Sequence, residues 1–178
     1  MSKVLLLVGH PNLSASRHNG ALVDAVRDLQ HVTVRDLSAV YPDFQIDGDT
    51  ERALLAEHDV IVFQHPLYWY STPAIFRQWQ DTVLTHGWAF NYEGKPSQTA
   101  GKKAILAVTT GGSADDYSLE GPTEFTIHQL LGPWRATLGL CQFDIQPLFA
   151  LHGAAFGLSD EDVSSIAKDY RELLTSFA

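Results

Sequence analysis

The sequence is poor in cysteine and in positive charge. Its single cysteine, Cys141, cannot form a disulfide within the chain, which excludes a disulfide-stabilised fold. Twelve Lys and Arg residues stand against 21 Asp and Glu residues, so the formal net charge is −9. A protein that binds a nucleic-acid backbone has the opposite balance of charge. We therefore expect no nucleic-acid partner.

Long apolar segments are lacking too. No apolar stretch reaches the roughly 20 residues that cross a bilayer. Residues 1–11 contain a short apolar run without the longer apolar region and cleavage site of a signal peptide. These features predict a cytoplasmic protein. The 178 residues, 45% hydrophobic and 19% charged, predict one globular domain over residues 1–178.

Several motifs of other protein classes do not occur. The chain has neither the Gly-x-Gly-x-x-Gly dinucleotide signature nor the P-loop, which disfavours a nucleoside triphosphate. The eight histidines are scattered without metal-ligand spacing, so we expect no metal. No Gly-x-Ser-x-Gly elbow occurs, which counts against a serine hydrolase.

Short apolar runs alternate with helical patterns along the chain. The runs predict strands at Val4–Val8 and at residues 32–34, 59–63, 104–108 and 141–147. Apolar residues at helical spacing predict helices at residues 19–29, 50–57, 72–85 and 123–138, and a last helix begins after Ser159. Thr72 is the predicted N-cap of the third of these helices, with Pro73 at its first position.

This alternation predicts an α/β fold. A buried parallel sheet of five strands in the order 2-1-3-4-5 carries helices on both faces and forms a three-layer sandwich. Ligands of such sheets bind beyond the carboxyl ends of the strands, where the strand order reverses. The loops after the first, third and fourth strands are therefore the expected ligand site.

The first loop, residues 9–19, is rich in hydroxyl and amide side chains. It runs into a helix N-terminus, where free N–H groups and the helix dipole favour an anion. Ser14, Ser16 and Asn19 can donate hydrogen bonds and Arg17 adds charge, so the loop predicts a phosphate site. The alternative is that Ser16 merely caps the helix.

The second loop, residues 64–73, contains three consecutive aromatic residues. Tyr68, Trp69 and Tyr70 follow a buried strand, and they cannot all face the core of this fold. Aromatic rings beside free backbone N–H groups suit a flat heteroaromatic ligand. The alternative is that these side chains close the end of the sheet or form a subunit interface.

The third loop, residues 109–121, begins with two threonines and two glycines. Gly111 and Gly112 allow the backbone to approach a ligand closely, and Tyr117 offers a phenol donor nearby. The alternative is a flexible turn. Together, the three loops describe a phosphate pocket, an aromatic wall and a close backbone contact, and this combination fits flavin mononucleotide (FMN).

On these motifs the chain resembles the flavodoxin-like NAD(P)H:quinone oxidoreductases. The matching pieces lie at residues 10–19, 64–70, 79–90 and 103–113, and residues 117–121 resemble the segment with the catalytic tyrosine of the animal-type quinone reductases. Residues 41–47 most resemble the bacterial ancillary proteins of glutathione-gated potassium-efflux systems. The resemblance covers nearly the whole chain.

The resemblance implies a bound FMN, with FAD as the alternative, and NAD(P)H as co-substrate. It also implies a homodimer whose active sites contain residues of both subunits. Tyr117 is the implied catalytic residue. The animal-type enzymes have a histidine six residues after that tyrosine, where this chain has Thr123. The implied cofactor-binding residues are His10, Ser16, Arg17, His18, Asn19, Pro66, Leu67, Tyr68, Trp69, Tyr70, Thr109, Thr110, Gly111 and Gly112.

The implied activity is two-electron hydride transfer from NAD(P)H, through the flavin, to a quinone or similar electrophile. One alternative is a regulatory subunit that docks on a potassium-efflux antiporter, which would place the protein at the inner membrane through its partner. A second alternative is a one-electron carrier of the flavodoxin type. The match of the third loop to the reductases disfavours the carrier.

Overall fold

A parallel sheet forms the central layer, and its strands are the short apolar runs of the sequence. The computed structural model describes residues 2–178. The strands are β1 Val4–Val8, β2 Val32–Asp36, β3 Val60–Pro66, β4 Lys103–Thr109, β5 Asp144–Ile145 and β6 Phe149–Leu151. Their order is β2-β1-β3-β4-β5, with β6 also paired to β4, and all pairs are parallel. The predicted strand order is confirmed.

Helices cover both faces of the sheet, as predicted. They are α1 Arg17–Asp24, α2 Leu37–Val40, α3 Gly48–Glu57, α4 Ala74–Val83, α5 Ile127–Leu130, α6 Gly132–Leu140 and α7 Asp160–Thr175. Side chains of α1 and α7 pack with Val4, Leu6 and Val8, whereas α2, α3, α4 and α6 pack on the side of Leu5 and Leu7. This alternation follows from the period of two along a strand. None of the helices in residues 2–178 is long and apolar enough to cross a membrane.

The fifth strand is shorter than predicted and broken. Cys141 caps the end of α6 instead of starting a strand. Pairing with β4 begins only at β5, stops, and resumes at β6. Pro147 lies between the two segments, and a proline has no N–H to donate to a strand ladder.

The prediction of a single helix over residues 123–138 is also wrong. Two helices lie there, and the first is capped by Thr126, whose side chain accepts a hydrogen bond from the backbone of Gln129. The second begins at Gly132 with Pro133 in its first turn. A proline ring fits the first turn of a helix and breaks its interior, which explains the division.

Two other helix starts differ from the prediction. Pro73, not Thr72, is the residue before α4, because Pro73 keeps an extended ψ of 149°. Helix α1 begins earlier than predicted, directly after Ser16, and residues 25–28 continue it only as turns.

A buried carboxylate ties α3 to the elements around it. Glu51 is fully buried, and its Oε1 accepts hydrogen bonds from Arg35 Nη2 at 2.7 Å and from the Tyr41 hydroxyl at 2.8 Å. Its Oε2 accepts one from Trp79 Nε1 at 3.0 Å. A buried charge needs such partners. The network therefore anchors Tyr41, the first residue of the segment 41–47.

Candidate functional site

A cavity of about 290 Å³ lies beyond the carboxyl ends of β1, β3 and β4. Val8 pairs with Gln64, and Pro66 pairs with Thr109, so the three predicted loops begin side by side. This is the position expected for a ligand of a doubly wound sheet. The cavity is lined by His10, Ser16, His18, Asn19, Pro66, Leu67, Tyr68, Thr109, Thr110, Gly111, Ala154 and Ala155.

The first loop brings the N-terminus of α1 to the cavity. The Ser16 hydroxyl accepts a hydrogen bond of 3.3 Å from the backbone N–H of Asn19. Ser16 therefore caps the helix, and it lines the cavity as well. The N–H groups of Arg17 and His18 lie in the first turn of α1 and have no acceptor within the helix, which leaves them available to a ligand.

Arg17 is turned away from this cavity. Its Nη2 donates to Asp160 Oδ1 at 2.7 Å and to the Leu158 carbonyl at 2.8 Å, which links α1 to the start of α7. Arg17 lines a neighbouring cavity instead, and none of the residues lining the first cavity is Lys or Arg. Its predicted contact with phosphate stays a prediction. An anion in the first cavity would be held by neutral hydrogen-bond donors and the helix terminus.

Buried amides and hydroxyls form the floor of the cavity. The side-chain amide of Asn19 donates to the Thr109 hydroxyl at 2.9 Å. Gln64 donates from Nε2 to the Asn19 carbonyl at 3.0 Å, and its Oε1 accepts from the Tyr170 hydroxyl at 3.1 Å. The floor thus joins α1, β3, β4 and α7 through satisfied polar groups, a condition for a rigid buried network.

The two histidines that line the cavity are held in their neutral form by burial. Burial lowers the pKa of His10 and of His18 below the usual value for histidine. The Nδ1 atom of His10 accepts the backbone N–H of Asn12 at 3.0 Å, so its proton lies on Nε2. That Nε2 lies 3.3 Å from the Tyr68 hydroxyl. His10 therefore orients Tyr68 at the cavity wall.

The aromatic residues of the second loop form a strained turn. Tyr68 and Ser71 exchange two backbone hydrogen bonds, and between them Trp69 and Tyr70 have φ values of 48° and 59°. Two consecutive left-handed residues define a type I′ turn, in which Asn-Gly is the favoured pair. Among the described residues, none accepts a hydrogen bond from the N–H of Trp69 or Tyr70. Both N–H groups are thus available to a ligand.

The side chains of this turn point in different directions. Tyr68 lines the cavity, as the sequence predicts for part of the aromatic run. Trp69 is 93% exposed and Tyr70 is 53% exposed, and neither lines the cavity. If Trp69 and Tyr70 bind a cofactor, as predicted, they would therefore do so through their backbone.

The third loop packs tightly against itself. A Cβ atom at Gly112 would lie 2.7 Å from Asp116 Oδ2 and 3.2 Å from Tyr117 Cε2, so any other residue there would require Asp116 to move. Tyr117 is half-buried against the core. Gly111 lines the cavity, whereas Gly112 and Tyr117 do not.

A fourth loop, after β6, completes the cavity and was not predicted. Ala154 and Ala155 line it, because their N–H groups donate to the carbonyls of Thr110 and Gly111 at 2.9 Å and 3.1 Å. The sequence signal was a run of small residues directly after a strand. It was obscured because β6 itself was not separated from β5.

No metal site accompanies the cavity: residues 2–178 contain no group of three or more His, Cys, Asp or Glu side chains placed to hold an ion. The fold and the cavity together define a flavodoxin-like protein with a cofactor-sized site at the switch in strand order. The model of the family described as "Flavodoxin-like fold" matches residues 2–174, and the chain belongs to that family.

Three bacterial relatives are similar over almost their whole length. General stress protein 14 of Bacillus subtilis is 41% identical over 97% of each chain. The uncharacterized NAD(P)H oxidoreductase YrkL of the same organism is 40% identical, covering 93% of this chain and 94% of YrkL. The glutathione-regulated potassium-efflux system ancillary protein KefG of Pectobacterium atrosepticum is 39% identical, over 98% of this chain and 93% of KefG.

Two solved structures are similar to the whole chain. General stress protein 14 from Treponema denticola, in complex with FMN, superposes with a TM-score of 0.89 at 36% identity, covering 99% of both chains. An NADPH-quinone reductase from P. pentosaceus superposes with a TM-score of 0.85 at 27% identity, covering 96% of both.

Proposed function

We propose that the chain is an FMN-dependent NAD(P)H:quinone oxidoreductase that transfers two electrons as hydride to a quinone or similar small electrophile. The observation that carries the proposal is the cavity, which combines a helix N-terminus, an aromatic turn with free N–H groups and a close backbone approach. The FMN complex of a 36% identical structure and the relative named as an NAD(P)H oxidoreductase support it.

The phosphate of FMN fits the first loop. The free N–H groups at the start of α1 and the hydroxyl of Ser16 supply donors, and the helix dipole favours the anion there. The nearest guanidinium, that of Arg17, is paired with Asp160. We therefore attribute the affinity for phosphate to the backbone.

The isoalloxazine ring of FMN fits the wall formed by the other loops. Its carbonyl and ring-nitrogen edge needs donors, which the N–H groups of Trp69 and Tyr70 provide. The backbone at Gly111 offers the close approach that a flat ring requires. When bound, the flavin accepts hydride and passes it on, while the protein supplies orientation and electrostatics. We assign to the phenol of Tyr117 the donation of a hydrogen bond to the negative charge that would develop on the flavin or the substrate.

The test is cofactor identification followed by turnover. The purified protein is denatured, and chromatography of the released cofactor distinguishes FMN from FAD. Apoprotein is then titrated with FMN and with riboflavin, and we expect FMN to bind at least about tenfold more tightly because only FMN engages α1. NADH and NADPH are compared with menadione as acceptor. Equal affinity for riboflavin and FMN would contradict the phosphate assignment.

We further propose a homodimer, because large apolar side chains remain uncovered, among them one in the second loop and one in the third. Trp69 is 93% exposed, Tyr92 is 81% exposed and Leu119 is 65% exposed. Exposed apolar groups of this size mark interaction surfaces when they cluster. The mass from light scattering is the test: a dimer at micromolar concentration is expected, and a monomer would contradict the proposal.

A second candidate function is that of an ancillary subunit of a potassium-efflux antiporter. The 39% identical KefG relative and the segment 41–47 favour it. In this segment Phe44 is 44% exposed at a φ of 62°, and Tyr41 is anchored by Glu51. Co-purification with an antiporter from detergent-solubilised membranes is the test. Retention that Phe44→Ser abolishes supports the role, and no retention of the wild type contradicts it.

A further inference from the structure

A ladder of backbone hydrogen bonds joins the loop after β6 to the third loop. Gly153 N donates to the Gly112 carbonyl at 2.7 Å, and Ala154 N donates to the Thr110 carbonyl at 2.9 Å. The residue at the start of this ladder is His152, which is half-buried beside the cavity. Its position was not singled out by any sequence motif.

The side chain of His152 has one defined protonation pattern. Its Nδ1 lies 2.8 Å from the Thr110 hydroxyl oxygen, and that hydroxyl lies 3.0 Å from the Gly112 carbonyl. A carbonyl only accepts, so the single hydroxyl proton of Thr110 is directed to Gly112. His152 Nδ1 must then carry a proton and donate it to Thr110, which leaves Nε2 unprotonated. Burial lowers the pKa of His152 and so favours this neutral ring.

The same imidazole packs on Tyr117. The two ring centroids are 5.8 Å apart with an angle of 35° between the planes. Tyr117 also lies close to Gly112, where an added Cβ would be 3.2 Å from Tyr117 Cε2. The phenol ring therefore contacts both the His152 ring and the backbone whose conformation His152 fixes through Thr110.

Thr123 does not take part in this arrangement. Its hydroxyl is bonded to the carbonyls of Asp116 and Phe125. The only imidazole ring that packs on Tyr117 within residues 2–178 is that of His152, from a different loop.

We propose that His152 is a positioning residue for the oxidoreductase site: it fixes the Thr110–Gly112 backbone through Thr110 and holds Tyr117 by ring contact. The kinetic effect of His152 rests on the proposed function, whereas its contacts with Thr110 and Tyr117 are present in the apoprotein. Misplacement of a positioned group by a fraction of an ångström is enough to slow a hydride transfer without loss of binding.

The kinetic test compares three substitutions by stopped flow. His152→Leu removes the donor and the ring, and we expect the rate constant of flavin reduction by NADPH to fall about tenfold while KM for NADPH and Kd for FMN change less than about threefold. His152→Asn keeps a donor near Nδ1 but not the ring, so the rate should recover in part, to within about threefold of wild type. His128→Leu, at an exposed position away from the cavity, is the control and should have no effect.

Two further measurements keep the inference separate from the proposed function. In ¹⁵N spectra of the apoprotein, His152 should be the Nδ1–H tautomer, and Thr110→Val should abolish that preference. Adding Thr110→Val to His152→Leu should not lower the rate constant of flavin reduction further, because both substitutions break the same chain of contacts. A wild-type protein that stays colourless would contradict the proposed function but not the structural role of His152. An Nε2–H tautomer, an unchanged rate in His152→Leu, additive rate losses, or failure of His152→Asn to restore the rate would overturn the role of His152.

Discussion

Asn19 at the start of α1 donates a hydrogen bond of 2.9 Å to the hydroxyl of Thr109 at the end of β4, 90 residues away in the sequence. Both groups are buried, and Gln64 adds a donor to the carbonyl of Asn19. The bond joins the first and third loops directly beneath the cavity. It makes the two parts of the proposed flavin site one rigid unit.

Loss of this bond should therefore lower both stability and cofactor affinity. Asn19→Leu leaves the Thr109 hydroxyl without its donor and removes one of the two acceptors of Gln64 Nε2, so we expect the free energy of unfolding to fall by about 1–3 kcal/mol. Urea titration measures the loss. The double-mutant cycle with Thr109→Val should show coupling of about 1 kcal/mol. Strictly additive losses would show that the two side chains do not interact.

Relief of the strain in the aromatic turn should raise stability and lower the affinity for FMN. Trp69→Asn with Tyr70→Gly installs the favoured residues of a type I′ turn, and we expect a gain of about 1–2 kcal/mol in the free energy of unfolding. Glycine at position 70 also loosens the backbone that presents the two N–H groups, so FMN affinity should drop. Thermal unfolding and FMN titration measure the two effects.

Glu124 provides the matched control for the turn. It also has a positive φ, 56°, but lies outside the cavity. Glu124→Gly should relieve strain without any change in FMN affinity. If the double variant of the turn binds FMN as well as the wild type does, the strained conformation has no role in the site.

The buried network around Glu51 should be a major source of stability. Glu51→Leu leaves the guanidinium of Arg35, whose side chain is 22% exposed, without its carboxylate. Breaking such a pair costs about 3 kcal/mol or more. Asp49→Asn is the control: the Asp49 side chain is 95% exposed in its pair with Arg52, so its loss should cost far less. Equal losses in the two variants, read from urea midpoints, would contradict the network.

His65 should make stability depend on pH. Burial lowers the pKa of His65 to about 4, whereas an unfolded histidine titrates near 6.5. The unfolded chain binds the proton more readily, so this contribution is complete above about pH 6.5 and is lost as the pH falls towards 4. The loss amounts to about 3 kcal/mol.

The substitution His65→Phe isolates this effect. The His65 ring stacks on Trp134 at a centroid distance of 6.0 Å, and phenylalanine preserves that contact. The difference in unfolding free energy between variant and wild type should shift in favour of the variant from pH 7 to pH 4.5. A difference that is constant over this range would rule out a neutral buried His65.

The fold and most of the cavity could be predicted from the sequence. The predicted strand order placed three loops at one edge of the sheet, and ten of the cofactor-binding residues implied by the family resemblance line the cavity there. Ser16 was recognisable because a helix N-cap has a local signature. The alternation of Leu5 and Leu6 between the two faces follows from strand geometry alone.

Features that depend on distant partners could not be predicted. Arg17 pairs with Asp160, 143 residues away, and no local pattern distinguishes that role from phosphate binding. The contribution of Ala154 depends on the break near Pro147, which divides the last strand. The ring contact of His152 with Tyr117 arises only when the third loop and the loop after β6 meet.

Anaerobic absorbance spectra of the FMN-loaded protein test the central claim most directly. Addition of NADPH or NADH should bleach the flavin bands without an intermediate that absorbs at long wavelength, and menadione should then restore them. This sequence is the signature of two-electron transfer through one cofactor. A protein that stays colourless after incubation with FMN and FAD, or flavin bands that neither pyridine nucleotide bleaches, would contradict the account.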